Sequence, residues 1–131
     1  MKSGAAAGAV AGLVGGIVSI VLGIIGSSIG LFALAPLPVE YATSISVVLS
    51  IVFGAIFGAL YSRFHDPIPG KGISKGIYFG LMIWLVKDIA AGAFVPLLSR
   101  RLDWTVSIAL IFVGFFEWIV YGSLLGALYK K

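Results

Sequence analysis

Four long apolar runs, at about Ala5 to Leu31, Tyr41 to Tyr61, Ile73 to Leu98 and Thr105 to Leu128, divide this chain, and its charged residues gather mostly between and beside them. About 20 apolar residues at roughly 1.5 Å rise each cross about 30 Å of hydrocarbon, so every run is long enough to span a membrane. Inside lipid each backbone N–H and C=O must be paired within the protein. Runs of this length without alternation of period two therefore predict helices, not barrel strands. Ala35-Pro36-Leu37-Pro38 stops the first helix in a short outer loop, because proline fixes φ and donates no hydrogen bond. Tyr61-Ser62-Arg63 closes the second with an aromatic and a cation suited to an interface.

The runs are related in pairs. At a constant offset of 68 residues, Gly4, Gly8, Gly12 and Leu13 fall on Gly72, Gly76, Gly80 and Leu81. Ile51-Val52, Gly54 and Gly58-Ala59-Leu60-Tyr61 fall on Ile119-Val120, Gly122 and Gly126-Ala127-Leu128-Tyr129. The pattern predicts two copies of one hairpin unit: residues 1–64, a connector at 65–71 containing Pro69-Gly70, and residues 72–131. Two crossings per unit bring both copies into the membrane in the same sense, a parallel tandem repeat with its axis along the membrane normal. The expected fold is thus an all-α integral membrane protein of four transmembrane helices.

Composition agrees, since 60% apolar and 11% charged residues leave too little polar surface for a soluble globule. Lys2 followed by an apolar run and Ala33-Leu34-Ala35 imitates a secretory signal, but the run is about twice a normal signal core and its repeat partner is internal, which predicts a retained helix. Lys2, Arg63, Lys71, Lys75, Lys130 and Lys131 flank one side, against Arg100 and Arg101 on the other. That asymmetry predicts a plasma-membrane protein with both termini cytoplasmic, its basic ends against anionic lipid headgroups. Nucleic acid is a poor partner for a chain with no soluble basic face. The absence of cysteine and a single histidine, His65, argue against disulfides, thiolate chemistry and metal sites, and nothing calls for a cofactor. Absence of Asn and Gln hints at a hot habitat.

Glycines supply the packing signal. Gly4, Gly8, Gly12 and Gly16 form a smooth stripe on helix 1, with Gly54 and Gly58 on helix 2, Gly72, Gly76 and Gly80 on helix 3, and Gly122 and Gly126 on helix 4. Small residues at this spacing let helix backbones approach where lipid removes the hydrophobic drive. Thinning the wall of a narrow pathway is the alternative use.

Chemistry concentrates in the second unit, where Lys87, Asp88 and Glu117 replace Ser19, Ile20 and Leu49. A charge near mid-bilayer costs about 2.5 to 3.5 kcal/mol, so three of them call for partners or a polar cavity. One reading is a buried Lys87 ion pair with Glu117 or Asp88 that fixes helix register. Another is a site for an ion, proton or polar solute, with Glu117 titrating and Lys87 as counter-charge; a third is docking to a partner subunit. Trp84 and Trp118 replace Gly16 and Ser50 and border the charged level, as does Tyr121 on the Glu117 face of helix 4. That face also holds Leu110 and Gly114 and lies opposite Gly122 and Gly126, which leaves helix 4 one face for a second subunit. The chain lacks the nucleophile, metal-ligand and paired-aspartate signatures of membrane hydrolases, so no enzyme is expected. Ser62, His65 and Asp66 in the connector read as a headgroup-facing loop.

The stretch Ser50-Ile51-Val52-Phe53 through Tyr61, the basic connector, and Lys75-Gly76-Ile77-Tyr78-Phe79-Gly80-Leu81 resembles the YagU-like group of membrane proteins and small archaeal membrane proteins. The resemblance implies no site residue. The functional expectation is a small transporter or channel-like protein that forms a homo-oligomer, or alternatively a structural or accessory subunit of a larger membrane complex.

Overall fold

The computed structural model describes residues 2–29, 39–90 and 104–130. The proline turn at 35–38, the end of the third apolar run, Arg100 and Arg101 lie outside them. Among the described residues there are four helices: α1 (Gly4–Ser28), α2 (Val39–Arg63), α3 (Ile73–Trp84) and α4 (Trp104–Leu128). A π-helical turn, Leu85–Ile89, continues α3. Among the described residues there is no strand, and three helices are long and apolar enough to cross a membrane, at Gly4–Gly26, Ile45–Arg63 and Ile111–Leu128.

Local chemistry sets the helix starts. The Ser3 hydroxyl accepts a hydrogen bond from the Ala6 N–H at 3.2 Å, occupying one of the four donors a helix start leaves unpaired. Before α3 the chain reverses at Pro69-Gly70 with Gly70 at φ 95°, a left-handed conformation that suits glycine after proline in a tight turn. The Ser74 hydroxyl then accepts from Lys71 N–H at 3.1 Å and donates to the Lys71 carbonyl at 3.0 Å, tying the connector to the first turn of α3.

Glycine governs how the helices meet. On α1, Gly8 rests against the Gly54 carbonyl and the Gly58 backbone of α2, and Gly12 against the Ser50 carbonyl and Gly54. On α3, Gly76 rests against the Gly122 carbonyl and the Gly126 backbone of α4, and Gly80 against the Trp118 carbonyl and Gly122. Backbone lies on backbone in both places, where packing and weak Cα–H···O contacts provide the attraction. Gly72 behaves differently. A Cβ there would meet nothing among the described residues, and its φ of 54° is what calls for glycine.

The two helix pairs join through α1 and α4, where a Cβ added at Gly15 would come to ordinary contact distance of Glu117 and Tyr121. The Glu117 face of α4 is therefore covered by α1 of the same chain, not left free for a second subunit. Ala7, Ala11 and Leu125 are completely buried, and Trp118, Tyr121, Phe79 and Ile83 complete the core. At the connector end Tyr61 packs on Phe79 (5.1 Å between ring centres), His65 (5.2 Å) and Tyr129 (5.6 Å). Gly4 lies against Ser62, so the start of α1, the end of α4 and the connector share one end of the bundle.

Candidate functional site

At mid-span the helices part around a cavity of about 250 Å³. From α1 it is lined by Gly12, Gly15 and Ser19, and from α2 by Ser46, Leu49, Ser50, Phe53 and Gly54. Glu117, Trp118 and Tyr121 line it from α4, and Lys87 reaches it from the π-helical turn. Gly15, Gly54 and Glu117 fall near the middles of the three membrane-length segments, so the polar groups sit where lipid would tolerate them least.

Each polar group is placed by a local device. The π-turn widens the helix at Leu85–Ile89; such turns are rare and recur at functional sites. It puts two consecutive charged side chains on the α4 side. The Lys87 ammonium lies 5.0 Å from the Trp118 ring centre, a cation–π contact worth about 0.5 to 2 kcal/mol depending on desolvation. The Asp88 carboxylate presses on the backbone of Gly114, where a Cβ would stand 2.6 Å from Oδ2. The Trp84 indole N–H donates to the Ile111 carbonyl at 2.9 Å and its ring packs on Phe115, which ties α3 to α4 outside the cavity. The Tyr121 hydroxyl donates to the Gly54 carbonyl at 2.7 Å, a buried bond from α4 to α2.

Of the six charged and aromatic residues singled out on the sequence, Lys87, Glu117, Trp118 and Tyr121 share the cavity. Asp88 and Trp84 stand beside it and bind α3 to α4. Neither Asp88 nor Glu117 comes within 4.0 Å of the Lys87 ammonium. Lys87 leans on an aromatic face instead, and the Ser19 hydroxyl is within hydrogen-bonding reach of Glu117. Asp88 Oδ2 and Trp118 Nε1 are buried and make no close hydrogen bond among the described residues, the two side chains lying within reach of each other at longer range.

No family model, curated protein or solved structure matches this chain.

The sequence reading passed over the hydroxyls of Ser19, Ser46 and Ser50. Their signal was available, since each is a polar residue inside an apolar run, and inside a bundle such groups face partners or cavities. It also passed over Gly114 as the seat of Asp88. Lys75, counted there among the flanking cations, is 8% exposed and lies 3.5 Å from His65 Nδ1. Asp66 Oδ1 stands 3.7 Å from the same His65 nitrogen. Among the described residues no three His, Asp or Glu side chains converge as a metal cluster.

Proposed function

We propose that this chain is a four-span membrane protein of the transporter or channel-like class, which holds a small polar solute or ion in the mid-span cavity. The observation that carries the reading is the meeting of Lys87 and Glu117 in one cavity without an ion pair between them. A pair retained only to fix helix register would close upon itself, because each unpaired charge in a low-dielectric interior costs several kcal/mol. Two opposite charges that share a cavity and are not ion-paired among the described residues describe a binding site.

The relation between the two hairpins supports it. At the offset of 68 residues Ser19 corresponds to Lys87, Leu49 to Glu117, Ser50 to Trp118 and Phe53 to Tyr121, and all eight line the cavity. On this proposal the hairpins are parallel repeats with cytoplasmic termini, and the site lies at mid-depth between the repeats, as in transporters built from internal repeats.

Flux through liposomes carrying the purified protein tests the reading, with sodium ion, acetate, glycerol and L-alanine as probes. At least one probe should cross faster than in empty liposomes. The variant Lys87→Met with Glu117→Leu should fold with unchanged helicity and lose that flux at least tenfold. Unchanged flux in the double variant, or no probe crossing, would overturn it.

A further inference from the structure

The cavity's charge pattern narrows the class of solute, an inference that rests on the binding-site reading above. We propose that the occupant is a small zwitterion, whose carboxylate sits on the Lys87 ammonium and whose ammonium sits on the Glu117 carboxylate.

The argument is one of compensation. Lys87 and Glu117 line the same cavity from different helices and form no ion pair with each other, while Asp88, next to Lys87 in sequence, is turned onto Gly114 instead. A metal cation or an organic amine would pair with Glu117 and be repelled by Lys87. A simple anion would pair with Lys87 and be repelled by Glu117. A neutral polar molecule would leave both charges without a counter-charge in a region where each is expensive. A molecule carrying both charges on a short frame leaves neither uncompensated and brings no net charge to mid-membrane.

The remaining lining fits such an occupant. Ser19, Ser46 and Ser50 offer hydroxyls that can donate to a carboxylate or accept from an ammonium. The Tyr121 hydroxyl has spent its proton on the Gly54 carbonyl at 2.7 Å, so towards the cavity it can only accept, which suits an ammonium. Gly12 and Gly15 add no side-chain bulk to the α1 wall. The volume of about 250 Å³, set against the roughly 30 Å³ that one water occupies in the liquid, accommodates a molecule the size of glycine or alanine.

Binding to the purified full chain in lipid nanodiscs, followed by calorimetric titration, tests this with L-alanine, propionate and ethylammonium. The last two are alanine stripped of its amine and of its carboxylate. L-Alanine should bind at least tenfold tighter than either fragment, and tighter than both supplied together. Glu117→Gln should weaken alanine at least tenfold and bring propionate level with it, and Lys87→Met should do the same for ethylammonium. The proposal is overturned if a single-charge fragment binds the unaltered protein as well as alanine does, or if alanine does not bind. The unaltered protein decides this by itself if a variant fails to fold. Should sodium, acetate or glycerol cross liposomes in a Lys87- and Glu117-dependent way while alanine neither binds nor crosses, the zwitterion is wrong and the cavity reading stands. If no probe crosses, that reading falls as well.

Discussion

Replacing Gly8 by alanine adds one methyl group at the tightest kind of contact in the bundle. Built on the existing backbone, that Cβ would stand 2.7 Å from Gly58 Cα and 2.9 Å from Gly58 N, with the Gly54 carbonyl oxygen closer still. Non-bonded carbons prefer about 3.5 to 4.0 Å, so α1 and α2 must separate by on the order of 1 Å. All the obstructing atoms are backbone and cannot swing aside. Overpacking of this kind costs about 1 to 3 kcal/mol, while alanine recovers up to about 1 kcal/mol of helix propensity over glycine. Gly15→Ala separates the two effects, because it lies on the same helix and is also buried, yet its Cβ would make ordinary contacts at 3.6 Å with Glu117 O and Tyr121 Cβ. Propensity cancels between the two variants, so Gly8→Ala should be less stable than Gly15→Ala by about 1 to 3 kcal/mol. Reversible unfolding in mixed micelles with rising dodecyl sulfate, followed by tryptophan fluorescence, measures both. A difference under about 0.5 kcal/mol, which is smaller than the overpacking range, would refute the claim that backbone contact at Gly8 holds the first hairpin together.

Other substitutions probe the second hairpin and the bond across the bundle. Tyr121→Phe removes the hydrogen bond to the Gly54 carbonyl and should cost about 0.5 to 1.5 kcal/mol in the same unfolding assay. Gly114→Ala should be destabilising because its methyl meets the Asp88 carboxylate; in an Asp88→Ala background the penalty should shrink, giving a coupling of about 0.5 to 3 kcal/mol in a double-mutant cycle. Gly72→Ala should cost about 1 to 3 kcal/mol through its φ of 54° alone, a loss that glycine-like D-alanine placed by chemical synthesis should reverse. Lys75→Met keeps the buried stem and removes its charge, so it should be neutral or stabilising in the unfolding assay, with a marked loss of stability as the contrary result.

The sequence made the helices and their glycine contacts readable because both are periodic. Long apolar runs have one structural solution in lipid, and glycines four residues apart fall on one helix face whatever the neighbours are. At Gly72 the same logic told only part: its carbonyl does lie against Gly126, but its φ of 54° also calls for glycine, and in a repeat that need looks identical to close packing. It also left Asp88 unseated, because its position against Gly114 depends on the π-turn at Leu85–Ile89, and residue types do not announce where a helix widens by one residue. Lys75 read as a flank because a cation at the end of an apolar run usually snorkels to the interface; here the ring cluster of Tyr61, His65, Phe79 and Tyr129 covers the end of the bundle.

On the proposed repeat, Tyr121 and Phe53 show what a difference between the two hairpins accomplishes. They correspond at the 68-residue offset and line the same cavity, but only the tyrosine carries a hydroxyl, and that hydroxyl fastens α4 to α2 at Gly54. The charges follow the same division, with Lys87 and Glu117 lining the cavity together with their uncharged counterparts Ser19 and Leu49. Had both hairpins kept the charged residues, one small cavity would hold two ammonium groups and two carboxylates, and like charges at a few ångströms in low dielectric repel by several kcal/mol. With Lys87 and Glu117 in the cavity lining beside Ser19 and Leu49, and Asp88 turned aside onto Gly114, a single dipole is left in the cavity. On the proposed reading that dipole gives the site one orientation for its solute, which two identical hairpins around a symmetric cavity could not supply.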